Sequence, residues 1–142
     1  MQPSTHLAID PRLCGTPVSM AEGCASVELL TVPEMAADAH ALVHGGFVFG
    51  LADYAAMLAI NEPNVVLGSA EVRLTAPVAV GDALRADAKR VRIEDKKHMV
   101  EVTVLCARAK PRSSSASECV LSGTFVCFVP NAHVLDTKKT TP

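Results

Sequence analysis

GGFVFGLADYAAMLAI, from Gly45 to Ile60, is the stretch that decides the fold. It is apolar nearly all round, rich in Ala, Leu and Met, and stopped by Asn61-Glu62-Pro63. Such residues favour helix, and a helix apolar on every side has to be buried. Working outward, Thr16 to Val32 reads as a hairpin with its turn at Glu22-Gly23, and in its second arm Val27, Leu29 and Thr31 alternate with Ser26, Glu28 and Leu30. Pro33 to Val43 reads as a connection holding a short turn of helix. Beyond the helix come four strand-like stretches: Val65–Ala76, interrupted at Gly68, Ala83–Ile93, Met99–Ala109 and Cys119–Val129. Turns fall at Pro77–Asp82, Glu94–Lys97 and the polar Pro111–Ser117. Consecutive strands with short connections pair antiparallel, so one buried helix among them predicts an α+β domain with a sheet wrapped around the helix. The first dozen residues are expected to be irregular and the tail after Pro130 frayed.

The chain of 142 residues has the size of one domain, with a core expected over about 16–130. Lys and Arg number 13 against 15 Asp and Glu, and aromatics are 4% with no Trp. That balance argues against nucleic acid, whose binders carry basic surfaces and stacking rings. No apolar run is long enough for a spanning helix. The start MQPSTHLAIDPR lacks the basic and apolar regions of a secretory signal, and the cysteines, read as reduced thiols, lead to the expectation of a cytoplasmic protein. The five cysteines, Cys14, Cys24, Cys106, Cys119 and Cys127, show no C-x-x-C. They are expected to be buried reduced thiols rather than metal ligands, and no metal or cofactor is expected.

One residue of the apolar helix stands out. Asp53 is its single carboxylate, and taking a carboxylate out of water costs several kcal/mol unless it is paired or hydrogen-bonded. Either a neighbour such as Arg73 or Thr75 satisfies it, or it sits at the floor of a ligand cleft. Gly46, Gly50 and Asp53 share one face at i, i+4, i+7, which leaves room beside the acid for another backbone or a ligand. The helix begins His44-Gly45-Gly46, small residues at the end where free N–H groups stabilise negative charge. N–H donors and a carboxylate on one element are the parts of an oxyanion site beside a base or nucleophile.

His44-GGFVFGLA-Asp53 resembles the H-G-G-x-x-x-x-L-x-D motif of the hotdog-fold acyl-CoA thioesterases, in the branch of the phenylacetate-pathway thioesterase. The approach VPEMAADAHALVHGG and the downstream EVRLTAPVAVGDAL fit the same pattern, and the resemblance runs from about Val18 to Val129. It implies a long helix wrapped by an antiparallel sheet, homodimers joined sheet edge to sheet edge and commonly paired into tetramers, and sites at the dimer interface. It implies hydrolysis of an acyl thioester to free acid and coenzyme A, the latter as part of the substrate. Gly45 would supply the N–H that polarises the carbonyl, with Gly46 and His44 beside it. Asp53, from the other protomer, would activate water or attack directly. Asp38 stands where close relatives carry Asn, and His40 where some carry a loop-ordering His. Leu67 falls where some place a Ser or Thr hydroxyl, with Ser69 two residues on along the same face. Arg108, Lys110 and Arg112 are the candidates for coenzyme A phosphates. His98, in the charged turn, reads as surface; Phe47, Phe49, Tyr54 and Met57 read as core or acyl-tunnel lining. Two rivals share the fold: a non-catalytic acyl-CoA-binding domain, and an enoyl-CoA hydratase or dehydratase.

Overall fold

The computed structural model describes residues 1–110 and 117–136. Two α-helices, the single-turn α1 (Pro11–Cys14) and the 16-residue α2 (Gly45–Ile60), accompany six strands: β1 (Thr16–Ala21), β2 (Cys24–Leu30), β3 (Val66–Leu74), β4 (Ala83–Glu94), β5 (Lys97–Ala107) and β6 (Glu118–Phe128). The strands form one antiparallel sheet in the order β1-β2-β4-β5-β6-β3. The sheet curls around α2, the architecture of the hotdog fold. No described helix is long and apolar enough to cross a membrane.

Alternation decides which face meets the helix. Val27 and Leu29 of β2, Leu84, Ala86 and Ala88 of β4, Val100, Val102 and Val104 of β5, and Phe125 and Cys127 of β6 are buried with Leu51, Ala55 and Leu58 of α2. Thr31 continues the inward series of β2, while Leu30 between them is 62% exposed. α2 ends where Asn61 enters the left-handed region and returns its N–H to the Met57 carbonyl, just before Pro63.

Three expectations need correction. The N-terminal segment is not wholly irregular: Asp10 caps α1 by accepting the Arg12 N–H (2.9 Å), with Pro11 at the first helical position. β5 begins at Lys97, two residues before the expected start. His98 therefore joins the inward positions, 9% exposed, with Nδ1 unpartnered among the described residues. The cysteines are all free thiols, but Cys119 is exposed; only Cys106 and Cys127 are buried.

β3 occupies one edge of the sheet, and Ser69, Ala70, Glu71, Arg73 and Leu74 on it are exposed. Among the described residues its outer rim of backbone N–H and C=O groups has no neighbouring strand.

Candidate active site

The Asp53 carboxylate is partly buried, its Oδ1 is inaccessible to water, and that oxygen finds no hydrogen-bond partner among the described residues. Both partners offered by the sequence are elsewhere. The Thr75 hydroxyl donates to the Cys119 carbonyl (2.8 Å), and Arg73 pairs with Ser122 on the face of β3 opposite Val72 and Leu74. Burial pushes the Asp53 carboxyl up to about 6. The same apolar surroundings, together with the Asp53 charge, push the Cys127 thiol up to about 12. A carboxyl held near neutrality with unused acceptor capacity suits proton abstraction from water.

Gly50 leaves the space beside this carboxylate open: a Cβ there would meet nothing within 4 Å. At Gly46 a Cβ would crowd the His44 ring (3.1 Å), and at Gly45 it would approach Leu74 Cδ1 (3.3 Å). His44 is exposed, makes no side-chain cap of α2, and packs edge-on against Phe47. The Phe47 N–H returns to the His44 carbonyl (3.0 Å), whereas the N–H groups of Gly45 and Gly46, in the first turn of α2, have no backbone acceptor among the described residues. Phe49 stacks at a tilt on Phe125, 5.4 Å between centroids, and Tyr54 and Met57 are buried, so these rings and thioether belong to the core.

Gly45 and Asp53 stand eight residues apart on one helix, about 12 Å of axial rise. A reacting carbonyl needs donor and nucleophile each within about 3 Å, so one copy's own pair cannot act on one carbonyl.

The chain reaching the helix is held on two sides. Val43 N–H donates to Val78 O (2.8 Å), Val80 N–H to Ala41 O (2.9 Å) and His44 N–H to Met35 O (2.9 Å). Asp38 folds the preceding turn, its Oδ1 accepting from the N–H groups of His40 (2.9 Å) and Leu42 (3.2 Å). Asp38 and His40 are exposed. Asp38 does not contribute to the Asp53 shift, which comes from burial.

Leu67 and Ser69 do not share a face. Leu67 pairs with inward Cys127, Ser69 with Val126 on the other side, because Gly68 is an extra residue in the ladder. A Cβ at Gly68 would overlap the Phe128 ring, which explains glycine at the bulge. Only Leu67 is packed against the core.

Arg108 is already engaged. Nη1 donates to Pro77 O (2.5 Å) and Asp82 Oδ2 (3.1 Å), while Nε and Nη2 hold Glu118 Oε1 (3.0 and 2.5 Å). The guanidinium thus serves the Pro77–Asp82 turn rather than standing free for a phosphate. Lys110 is exposed, and Arg112, with most of the Pro111–Ser117 loop, lies outside the described residues. Sequence reading missed Asp82 and Thr31, which are both 3% exposed. The Gly-Asp pair after Pro77 was the available signal.

A protein-family model described as the thioesterase superfamily matches residues 40–110, half of the chain. The chain belongs to the thioesterase superfamily. Among solved structures it is similar to the uncharacterized protein PH1136 from Pyrococcus horikoshii, at 52% identity and a TM-score of 0.85, covering 96% of this chain and 98% of that one. It is also similar to a variant of the phenylacetic acid degradation protein PaaI from Thermus thermophilus, at 25% identity and a TM-score of 0.68, covering 82% and 93%. Among curated proteins, 108 residues are 49% identical to part of a methylthioribose-1-phosphate isomerase from Aquifex aeolicus (strain VF5). That match takes 76% of this chain but 23% of that protein, so the chain spans about a quarter of its length.

Proposed function

We propose that the protein hydrolyses an acyl-CoA thioester to the free acid and coenzyme A, in a homodimer whose two sites each combine both chains. The carrying observation is the buried, unpartnered Asp53 carboxylate on the same helix that begins with the free N–H groups of Gly45 and Gly46. The rise of about 12 Å between Gly45 and Asp53 supports assembly from two copies. The unpaired rim of β3 supplies the seam: antiparallel pairing of two β3 strands about a two-fold axis sets two α2 helices side by side in opposite directions. The Asp53 of one copy then faces the helix start of the other.

In such a site the thioester carbonyl oxygen accepts from Gly45 N–H, which stabilises charge as it develops on that oxygen. Asp53 either takes a proton from water as that water adds to the carbonyl carbon, or adds to the carbon itself. In the first route the tetrahedral adduct expels the coenzyme A thiolate, which takes from Asp53 the proton that came from water. In the second an acyl–carboxylate anhydride forms with loss of thiolate, and water then cleaves it. Gly50 leaves open space beside the acid for the substrate, and Lys110, an exposed cation, is the residue we assign to the phosphates of coenzyme A. The dimers pair further into tetramers.

A panel of acyl-CoA esters, short aliphatic to aromatic, followed by free-thiol release tests this function. The similarity to a phenylacetic acid degradation protein puts arylacetyl groups in the panel. Release of thiol by the parent and its loss in Asp53→Asn is the expected result. Acyl-CoA binding without release, or loss of the conjugated absorbance of an enoyl-CoA instead, overturns it in favour of a binding domain or a hydratase.

A further inference from the structure

We propose that Thr31, Asp82 and Arg108 form a positioning lock that sets the carbonyl-polarising N–H of Gly45 from a distance, through the Pro77–Asp82 turn; this rests on the thioesterase function proposed above. None of the hydrogen bonds of the three side chains goes to the helix start. Their contacts converge instead on the segment that holds it.

The backbone just before Gly45 is fixed by Met35 on one side and by the turn on the other: Val43 N–H to Val78 O, Val80 N–H to Ala41 O, and a bridge between Leu42 and Ala79. The turn itself has two outward residues, Pro77 and Ala79, and a left-handed Gly81 (φ 100°). A crossover such as this one, from β3 to β4 past the ends of β6 and β5, needs no buried charge to close. This one is nevertheless built on a carboxylate 3% exposed and a hydroxyl in an equally buried residue. Asp82 accepts from Ala79 N–H (2.9 Å), Ala109 N–H (2.9 Å) and Arg108. Thr31 Oγ1 donates toward Ala79 O (3.1 Å) and Asp82 O (2.8 Å), and accepts Gly81 N–H (2.9 Å). Arg108 closes the assembly by reaching Pro77 O. Every residue of the turn from Pro77 to Asp82 is thus tied, by backbone or side chain, to this trio or to the segment leading into α2. A donor aimed at a developing oxyanion must be held within about 0.5 Å, and a misplacement of about 1 Å costs on the order of a hundredfold in rate.

The test compares Arg108→Met, Thr31→Val and Thr31→Ser with the parent on whichever acyl-CoA of the panel it turns over fastest. Thr31→Val preserves volume and deletes the hydroxyl; Thr31→Ser restores it. The expected result is a fall in kcat of about 10- to 100-fold in the first two at nearly constant KM. The acid limb belonging to Asp53 stays in place, and Thr31→Ser recovers the activity. An amide spectrum of the ¹⁵N-labelled dimer gives a readout that needs no turnover: the Gly45 signal moves in Arg108→Met and Thr31→Val and returns in Thr31→Ser. Folded variants with lowered melting temperature, kcat within twofold of the parent and an unmoved Gly45 signal overturn the lock. Equal losses in Thr31→Val and Thr31→Ser overturn it too. Should Arg108→Met not fold, the Thr31 pair decides alone. A parent that hydrolyses nothing defeats the thioesterase function, while the amide signal still answers for the lock.

Discussion

Replacing Asp53 by Asn is expected to make the protein more stable and less active at once. The carboxyl rises from its ordinary 3.8 to about 6 because burial penalises its charged form. Each pKa unit is about 1.36 kcal/mol, so the ionised acid destabilises the fold by up to about 3 kcal/mol. Residual solvent access brings the working figure to about 2 kcal/mol. The sign follows from proton binding. A raised carboxyl binds its proton more tightly in the folded state, so the destabilisation is absent below about pH 4, grows between 4 and 6, and is complete above 6. The isosteric amide carries no charge at any of these pH values. Its melting temperature should coincide with the parent's at pH 4 and exceed it by about 4–8 °C at pH 8. Thermal unfolding of both proteins at one fixed concentration, in steps from pH 4 to 8, reads the difference. The same preparation should lose about 10²–10⁴ in hydrolysis. A gap that stays flat from pH 4 to 8 would refute the claim that this acid is desolvated and unpartnered.

Further outcomes are expected. The rate of hydrolysis should fall on the acid side with a midpoint near 6, where Asp53 takes up its proton; a midpoint near 4, measured from kcat across pH, contradicts a buried base. Gly45→Pro suits the first helical position and the extended backbone of His44, yet deletes the polarising N–H, so kcat should drop about 10²–10³ with the fold retained. Mixing it with Asp53→Asn after dissociation should restore about a quarter of parental activity, since half of the dimers then hold one intact site, and no recovery excludes a site shared between chains. Asp82 behaves oppositely to Asp53. Although burial raises its carboxyl, hydrogen bonds from Ala109, Ala79 and Arg108 outweigh this and hold it below the ordinary value. Its stabilisation is therefore present above about pH 4 and lost as pH falls further, so acid unfolding curves of Asp82→Asn should flatten in that range. Under native conditions a thiol reagent should label Cys119 first and leave Cys106 and Cys127, buried and pushed up to about 11 and 12, untouched until unfolding.

The helix was readable because its signals are local: an unbroken apolar run, Gly-Gly at the start, Asn-Glu-Pro at the stop. Its bounds in the structure are those expected, Gly45–Ile60. Asp53 was readable as an anomaly for the same reason, since a single acid in such a run needs no partner list to look out of place. Features set by pairing across the sheet were not readable. The Gly68 interruption was visible, but whether it kept or reversed the faces of Leu67 and Ser69 depends on the ladder with β6. Arg108 looked like any exposed cation, because its partners lie 26 residues back at Asp82 and 10 forward at Glu118. His98 was misplaced by two residues of strand boundary, enough to turn a surface side chain into a buried one.

In the proposed dimer the rim of β3 would link solubility to catalysis. A lone chain offers an adhesive ribbon that any extended peptide could join, and in the proposed assembly that ribbon is quenched only by the event that completes the catalytic pair. Dilution would then silence the protein and make it sticky together, so selection against clumping would also preserve turnover. A substitution that improved the behaviour of the solitary chain by blunting this rim would disarm it.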